Sequence, residues 1–379
     1  MKSSSYPQQL ELFDLLRGVA ILAVFGYHWH IHTVNDYFPI TTDFIFNEPI
    51  TIHKLYTTFS PLAFGHVGVQ LFLVISGFLI HYSYLRKEKA FNGRDFFSRR
   101  FWRIYPPYLL ILLFFVFRSS DQILYYFKAP IGKQAFFTHL LMVHNLSGDS
   151  RIIFGINSSF WSLALEVQLY LLYPLFLYLR KKWSISTLCW VLFVWHLISI
   201  SFLIYIQSQK LSEITFVINS WIIWAWGALI AENYYNHKRT FNISDTGICL
   251  FVVFFVVSKV FLFLFSYLSF LMAAFMFALI IDRLLFSSYQ LNRKKYQWIE
   301  KPIVYVGLCS YSIYLIHQPI MGDLIDLVNR LTIHSYLKTP LTLIIPFLIT
   351  FAISYVLYLF IELKSIQIGH YVSSRMKNK

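Results

Sequence analysis

Residues 12–29 read LFDLLRGVAILAVFGYHW, a stretch long and apolar enough to cross a bilayer as one helix. A helix satisfies its own backbone hydrogen bonds where lipid offers none, so this stretch predicts a transmembrane helix. It nevertheless carries three ionisable side chains: Asp14, Arg17 and His28. Such groups are costly in lipid and usually face a polar bundle interior. The stretch therefore predicts one helix of a bundle with a polar interior.

The rest of the chain repeats this pattern. Its 379 residues are 57% hydrophobic and only 13% charged, whereas soluble domains are about a quarter charged. The predicted fold is all-α, a polytopic membrane helical bundle of about ten transmembrane helices. It forms a single domain over residues 1–379 without an appended soluble domain. The ten spans lie near residues 12–32, 62–82, 104–118, 160–179, 184–206, 216–235, 247–265, 267–285, 303–325 and 341–361.

Basic residues concentrate in alternate connecting segments, and this asymmetry predicts that both termini are cytoplasmic. The chain is therefore expected in the cytoplasmic membrane as a multi-pass protein. The apolar segment 135–146 is too short to span and is predicted to be interfacial or re-entrant. The longest non-spanning pieces, near 33–61 and 119–159, are predicted on the outer side. The net charge is +14, but the basic residues cluster beside the apolar runs, as they do in membrane proteins. This distribution argues against nucleic-acid binding.

No metal site or disulfide framework is predicted. Cys189, Cys249 and Cys309 show no ligand spacing. His28, His30 and His32 do not form a ligand set either. Alternate positions of a helix diverge by about 200°, so only His28 and His32 share a face. Lys259, in the seventh predicted span, receives no role.

Three predicted spans bring polar side chains to similar depth in the outer half of the membrane: His28, Glu166 and His317. A carboxylate beside a histidine can orient the imidazole for general-base chemistry on a hydroxyl. The alternative is that Glu166 and His317 satisfy unrelated polar groups. Arg17, about 16 Å along the helix from His28, is placed to pair with Asp14 at i and i+3.

A second group lies in FFSRRFWRIYPPYLL, residues 96–110, where Arg99, Arg100 and Arg103 mark the cytoplasmic end of the third span. Guanidinium groups there suit the phosphates of a nucleotide-like donor. The alternative is an ordinary positive-inside anchor. Ser76-Gly77 in the second span favours close approach of a helix or a ligand. The residues predicted to contact the acceptor are His317, Ser76 and Asp14.

Five ordered pieces together resemble the acyltransferase-3 family of membrane O-acyltransferases that modify carbohydrates. They are Arg17 and His28 with ten residues between them, LFLVISGFLI, RRFWRIYPPY, WSLALEVQLYLLYP and YSIYLIHQP. The resemblance implies no permanently bound cofactor, a cytoplasmic acyl-CoA donor, usually acetyl-CoA, and a hydroxyl acceptor on a glycan or lipid-linked sugar.

By the same resemblance, Arg17 and His28 correspond to the essential pair. Arg100 and Arg103 correspond to the arginine motif, and Glu166 matches the glutamate of the WSL-containing motif. Leu169 stands where a phenylalanine is expected, a conservative departure.

Two other functions remain open at this stage. One is a transporter that exports a lipid-linked sugar or a small metabolite, with the intramembrane polar residues as its relay or binding site. The sequence shows neither a repeated half nor paired broken helices, which such transporters use. The other is a non-catalytic subunit of an envelope-polysaccharide assembly, whose polar residues would tolerate single substitutions.

Overall fold

The computed structural model describes residues 8–34, 60–206, 209–261, 266–287 and 297–377. Helices joined by turns and short irregular segments make up this part of the chain. The side chain of Lys259 lies outside the described residues, although its backbone is part of a helix. Most of the predicted outer segment 33–61 also lies outside them. The α-helices are α1 (Gln8–Val34), α2 (Gly68–Leu85), α3 (Gly93–Phe117), α4 (Ser120–Lys128), α5 (Pro130–Leu140), α6 (Ser150–Ile153), α7 (Phe160–Lys182), α8 (Ile185–Ile206), α9 (Gln209–Tyr235), α10 (Asp245–Phe261), α11 (Ser266–Leu285), α12 (Gln297–Leu308), α13 (Ser310–Asn329), α14 (Ser335–Leu357) and α15 (Leu363–Lys377). Shorter 3₁₀ segments cover Pro61–Val67 and His144–Leu146, and a π-helical turn covers Tyr358–Glu362.

Within the described residues, eight helices are long and apolar enough to cross a membrane. They account for the first six, the eighth and the tenth predicted spans. The ninth predicted span is interrupted at Cys309, and α12 and α13 make one further span if taken together. The seventh corresponds to α10, whose described apolar part, Asp245–Ser258, is shorter. The protein is therefore a multi-pass membrane protein, as its sequence predicts.

Exposed apolar surface supports the same conclusion. Only 33% of the most apolar window in Ile185–Ile206 is buried. Trp190 is 66% exposed and Tyr205 is 86% exposed on this helix. Water does not favour contiguous surfaces of this kind, so lipid is the solvent that suits them.

Two helices are longer than their apolar runs. The helix α3 begins at Gly93 rather than near residue 104, because the side chain of Asn92 accepts a hydrogen bond from the backbone N–H of Asp95 at 3.1 Å. At the other end of the chain, α14, the π-helical turn and α15 form one 40-residue helix, Leu337–Met376, of which only a part is apolar enough to span. Hydropathy marks the apolar part of a helix, whereas caps and packing set its ends.

The described chain divides into two compact units, each built from three separate stretches. The first unit comprises described residues within Met1–Glu88, Ile223–Ser310 and Ile325–Leu343. In this unit α1 packs against α2, the preceding 3₁₀ helix and α12. Glycines permit this close packing: a Cβ placed at Gly307 would lie 1.8 Å from the carbonyl oxygen of Asp14, and one at Gly68 would lie 2.6 Å from that of Ala20.

The second unit comprises Lys89–Ile222, Tyr311–Leu324 and Ile344–Lys379, less the residues that are not described. Here α15 packs along the first half of α3. The hydroxyl of Ser365 donates to the carbonyl of Trp102, and that of Ser373 donates to the carboxylate of Asp95. A small residue, Gly369, leaves room for the Trp102 side chain. The N-terminal half of α3, which carries the arginines, is thus held by a second helix.

The segment between α3 and α7 folds into short helices, none long enough to span. Its apolar core joins Val116 to Tyr126, Phe136 and Ile152. A tight turn at Met142, with φ of 54°, separates α5 from the next 3₁₀ helix. This turn is fixed by hydrogen bonds from α3 and α7: Tyr105 to the Leu140 carbonyl, Tyr108 to the His139 carbonyl and Gln168 to the Met142 carbonyl.

Two fully buried imidazoles stack beside this turn. The rings of His139 and His144 are 3.7 Å apart and nearly parallel. Burial lowers the pKa of His139 to about 4, and burial together with His139 lowers the pKa of His144 well below its usual value. Both rings are therefore neutral at pH 7.

The first prediction concerns the glycine contact of α12. Gly307→Ala should lower thermal stability by the equivalent of about 1–3 kcal/mol, because the new methyl group meets backbone of α1 that cannot move aside. Gly93→Ala is the matched control, since its Cβ would meet nothing closer than 3.7 Å. Melting of the purified protein in detergent, followed by size-exclusion chromatography, measures the difference. Equal melting temperatures for the two variants would contradict the packing described.

The second prediction concerns pH. The unfolded chain binds protons on His139 and His144 near pH 6.5, whereas the folded chain does not until about pH 4 for His139. Stability is therefore full above pH 6.5 and falls as the pH drops towards 4, by an amount on the order of 3 kcal/mol for His139 alone.

Melting temperatures between pH 7.5 and pH 4.5 test this sign. His144→Phe keeps an aromatic ring in the stack but removes one titrating group, so its melting temperature should depend less steeply on pH. A wild-type protein equally stable at both ends of this range would exclude buried neutral imidazoles.

Candidate functional site

The first unit holds the predicted residues of α1. Arg17 Nη1 lies 3.2 Å from Asp14 Oδ1, which is the predicted pair at i and i+3. The Asp14 side chain is 5% exposed and that of Arg17 19%. A charge pair this enclosed is stable only while both partners are present, because either one alone would be a buried uncompensated charge.

His28 lies three turns further along the same unbroken helix and is partly buried. Its ring meets that of Tyr27 edge-on, with centroids 5.3 Å apart. The Tyr27 ring also lies 5.1 Å from the ring of His66, whose Nδ1 is 3.0 Å from the Ala63 carbonyl oxygen. His66 comes from the 3₁₀ helix before α2, so two histidines flank one tyrosine at this end of α1.

The Ser76-Gly77 pair lies where α2 meets α9. A Cβ at Gly77 would be 2.0 Å from the carbonyl oxygen of Trp224, and one at Gly227 would be 2.0 Å from that of Val74. Helix packing therefore accounts for Gly77. Ser76 is buried beside this contact, and its contact with an acceptor remains a prediction.

The first unit also contains a histidine–carboxylate pair that the sequence does not indicate. His81 Nε2, fully buried on α2, lies 3.2 Å from Glu232 Oε2 on α9. The two residues are 151 positions apart in the chain. Neither lies at a spacing that indicates the other, so only the tertiary packing shows this pair.

In the second unit the three arginines of α3 have different surroundings. Arg99 forms an ion pair with Asp95 at 2.5 Å, one turn earlier. The guanidinium carbon of Arg100 lies 5.7 Å from the ring centre of Phe96 and 5.6 Å from that of Tyr170. Among the described contacts, Arg100 Nε is buried without a hydrogen-bond partner, and Arg103 forms no ion pair.

Glu166 lies with these arginines. Its carboxylate accepts a hydrogen bond from the hydroxyl of Tyr170, one turn later on α7. It interacts electrostatically with Arg100. Tyr311 of α13 interacts electrostatically with the buried Glu362, and with Glu166 and Arg103. The hydropathy pattern predicts Glu166 in the outer half of the membrane and the arginines at the cytoplasmic end of their helix. The structure instead brings Arg100, Arg103 and Glu166 into one polar cluster.

The remaining predicted residue of this unit, His317, is fully buried on α13. Its Nδ1 lies 2.9 Å from the carbonyl oxygen of Tyr314. The hydroxyl of Tyr314 is 2.5 Å from that of Ser162, and Tyr314 also interacts electrostatically with Glu166. His317 is thus one helical turn from the polar cluster and joined to it through Tyr314.

Three tyrosines of this cluster were not singled out in the sequence: Tyr170, Tyr311 and Tyr314. Tyr170 had a detectable signal, because a tyrosine four residues after a glutamate on a helix shares its face. Tyr311 and Tyr314 lie in YSIYLIHQP at i and i+3, on the face that α7 and α3 meet. Their roles depend on which helices become neighbours, which periodicity alone does not give.

The arrangement of the second unit combines guanidinium groups with carboxylates in a mostly enclosed setting. Asp95 compensates Arg99, so the positive charge left for a ligand comes from Arg100 and Arg103, in a cluster that also holds the carboxylates of Glu166 and Glu362. Guanidinium groups suit phosphate geometry. A carboxylate held by a phenol suits recognition of a hydroxyl.

Comparison with known proteins agrees with these features. The model of the acyltransferase domain family, Acyl_transf_3, matches residues 11–359. The chain is 28% identical over 180 residues to the acyltransferase MdmB of Streptomyces mycarofaciens, covering 46% of this chain and 41% of that protein. It is 29% identical over 182 residues to the peptidoglycan O-acetyltransferase OatA of Listeria monocytogenes, covering 45% of this chain and 24% of that protein.

The similarity to the O-acetyltransferase OatA of Staphylococcus aureus is longer. It amounts to 25% identity over 329 residues, which covers 79% of this chain and 52% of that protein. The chain thus spans about half or less of the length of these relatives. No solved structure matches the chain. Because the family match extends over residues 11–359 and includes both groups of polar residues, this chain belongs to the acyltransferase-3 family.

Proposed function

We propose that this protein is a membrane O-acyltransferase that moves an acyl group, acetyl in the simplest case, from acyl-CoA to a hydroxyl of a glycan or lipid-linked sugar of the cell envelope. Family membership supports acyl transfer. Two of the relatives are named O-acetyltransferases, which supports oxygen as the acceptor atom. The observation that carries most weight is the enclosed cluster of Arg100, Arg103 and Glu166, since stability alone does not require it.

The donor is proposed to reach the protein from the cytoplasm, where acyl-CoA is made. Basic residues enriched in alternate connecting segments support this orientation. Arg103 is the guanidinium best suited to the donor phosphates, because among the described contacts it has no acidic partner. Arg99 contributes less to donor binding, since Asp95 already compensates its charge.

His28 is proposed as the general base. Its imidazole removes the proton of the acceptor hydroxyl while the oxygen attacks the thioester carbonyl. The carbon–sulfur bond then breaks, and the proton held by the imidazole passes to the departing thiolate of CoA. Arg17, which pairs with Asp14 on the same helix, is proposed to brace α1 or to contact the donor. Glu166 and His317 are proposed to orient the acceptor.

The third prediction tests the base. His28→Ala should lower transfer of labelled acetyl from acetyl-CoA to envelope glycans by at least about 100-fold, the lower range for loss of a general base. His370→Ala is the matched control, because His370 is exposed on α15. Both variants are compared with wild type at equal membrane levels, in cells that lack the chromosomal gene.

Full acetylation by the His28→Ala protein would exclude His28 as the base. Loss of sugar export with acetylation of the remaining glycan unchanged would favour the transporter instead. Single Ala substitutions at His28, Glu166 and Arg103 that all leave acetylation intact would favour a non-catalytic subunit.

A further inference from the structure

Tyr170 makes two different interactions with one side chain. It is 6% exposed on α7, one turn after Glu166. Its hydroxyl donates a hydrogen bond to the Glu166 carboxylate. The face of its ring lies 5.6 Å from the guanidinium carbon of Arg100 on α3. The residue therefore joins the carboxylate of one helix to the cation of another.

Phe96 completes the setting of Arg100. Its ring lies 5.7 Å from the guanidinium carbon, and the Phe96 and Tyr170 rings are edge-on to each other, with centroids 6.4 Å apart. A guanidinium over an aromatic face is attracted by the electron-rich face of the ring, and the attraction is strongest where water is excluded. The rings thus fix the position of Arg100 beside Glu166, with which it interacts electrostatically.

The hydroxyl of Tyr170 has a separate effect. A hydrogen bond to a carboxylate is about twice as strong as one between neutral groups, and it sets the direction in which the second carboxylate oxygen points. Removing the hydroxyl leaves the charge of Glu166 in place but frees the carboxylate to rotate. Removing the ring also withdraws the support of Arg100.

The neighbouring arginines differ from Arg100 in this respect. Arg99 is compensated by Asp95 on its own helix. Arg103 lies one turn beyond Arg100, and among the described residues it contacts neither an aromatic face nor a carboxylate. Two guanidinium groups that share a face of α3 are therefore held in different ways.

From these contacts we infer that Tyr170 is a positioning residue that holds Glu166 and Arg100 together. Arg100 then stabilises the Glu166 carboxylate, while Arg103 binds the phosphates of the acyl donor. This inference rests on the proposed function. It divides the arginine motif into two tasks that kinetics can separate. Loss of the Tyr170–Glu166–Arg100 group should affect turnover, and loss of Arg103 should affect donor affinity.

The fourth prediction is a split between kcat and KM for acetyl-CoA. Tyr170→Phe keeps the ring and should lower kcat by about 10-fold or more, the effect of one charge-assisted hydrogen bond, with KM within about twofold of wild type. Arg100→Lys should do the same. Arg103→Ala should instead raise KM by about 10-fold or more with little change in kcat, as expected for lost phosphate binding.

Initial rates of label transfer from [¹⁴C]acetyl-CoA to acid-insoluble envelope material, in permeabilised cells lacking the chromosomal gene, provide these constants. Tyr178→Phe is the matched control, since Tyr178 is 53% exposed on the same helix and should behave as wild type. Size-exclusion profiles and membrane levels establish that each variant is folded. Tyr170→Phe is decisive because it leaves the packed ring in place.

Wild-type kcat in Tyr170→Phe would overturn the inference, as would a rise in KM for Arg100→Lys equal to that of Arg103→Ala. Either result leaves the proposed function standing if His28→Ala remains inactive. Failure of the proposed function is distinguishable, because His28→Ala and Arg103→Ala would then both retain wild-type transfer.

Discussion

Lipid cannot hydrogen-bond, and this constraint decides which polar groups the protein keeps and where they lie. Charged side chains on a spanning helix are therefore stabilised by partners on their own helix or on a neighbouring one. Asp14 and Arg17 find each other on α1. Glu166 finds Tyr170 on α7 and Arg100 on α3. In the first unit, glycine contacts such as Gly307 against the carbonyl oxygen of Asp14 let the helices approach closely.

The sequence predicts what depends on local periodicity. The apolar runs predict the spanning helices, and the spacing of Asp14 and Arg17 predicts their ion pair, because positions three apart share a helix face. The short segment 135–146 is predicted not to span, and α5 with the following 3₁₀ helix confirms this. All these features are set within a few turns of chain.

The position of Glu166 is different. Its depth was inferred from where apolar runs begin, which assumes that helices end where their apolar residues end. The cap at Asn92 starts α3 well before its apolar part. The polar turns that precede the apolar part pack against α15 through Trp102 and Asp95. The arginines therefore lie within a packed helix and not at its N-terminal end. Neighbouring helices place Glu166 beside Arg100, and the pattern of a single helix contains no such information.

The central claim is that this member of the acyltransferase-3 family acylates a hydroxyl of an envelope glycan. The most direct measurement is the content of alkali-labile acetyl ester on glycans purified from the source organism, before and after deletion of the gene. The account predicts that one glycan loses its esters on deletion and regains them when the wild-type gene is restored. Identical ester content on every envelope glycan in both strains would contradict it.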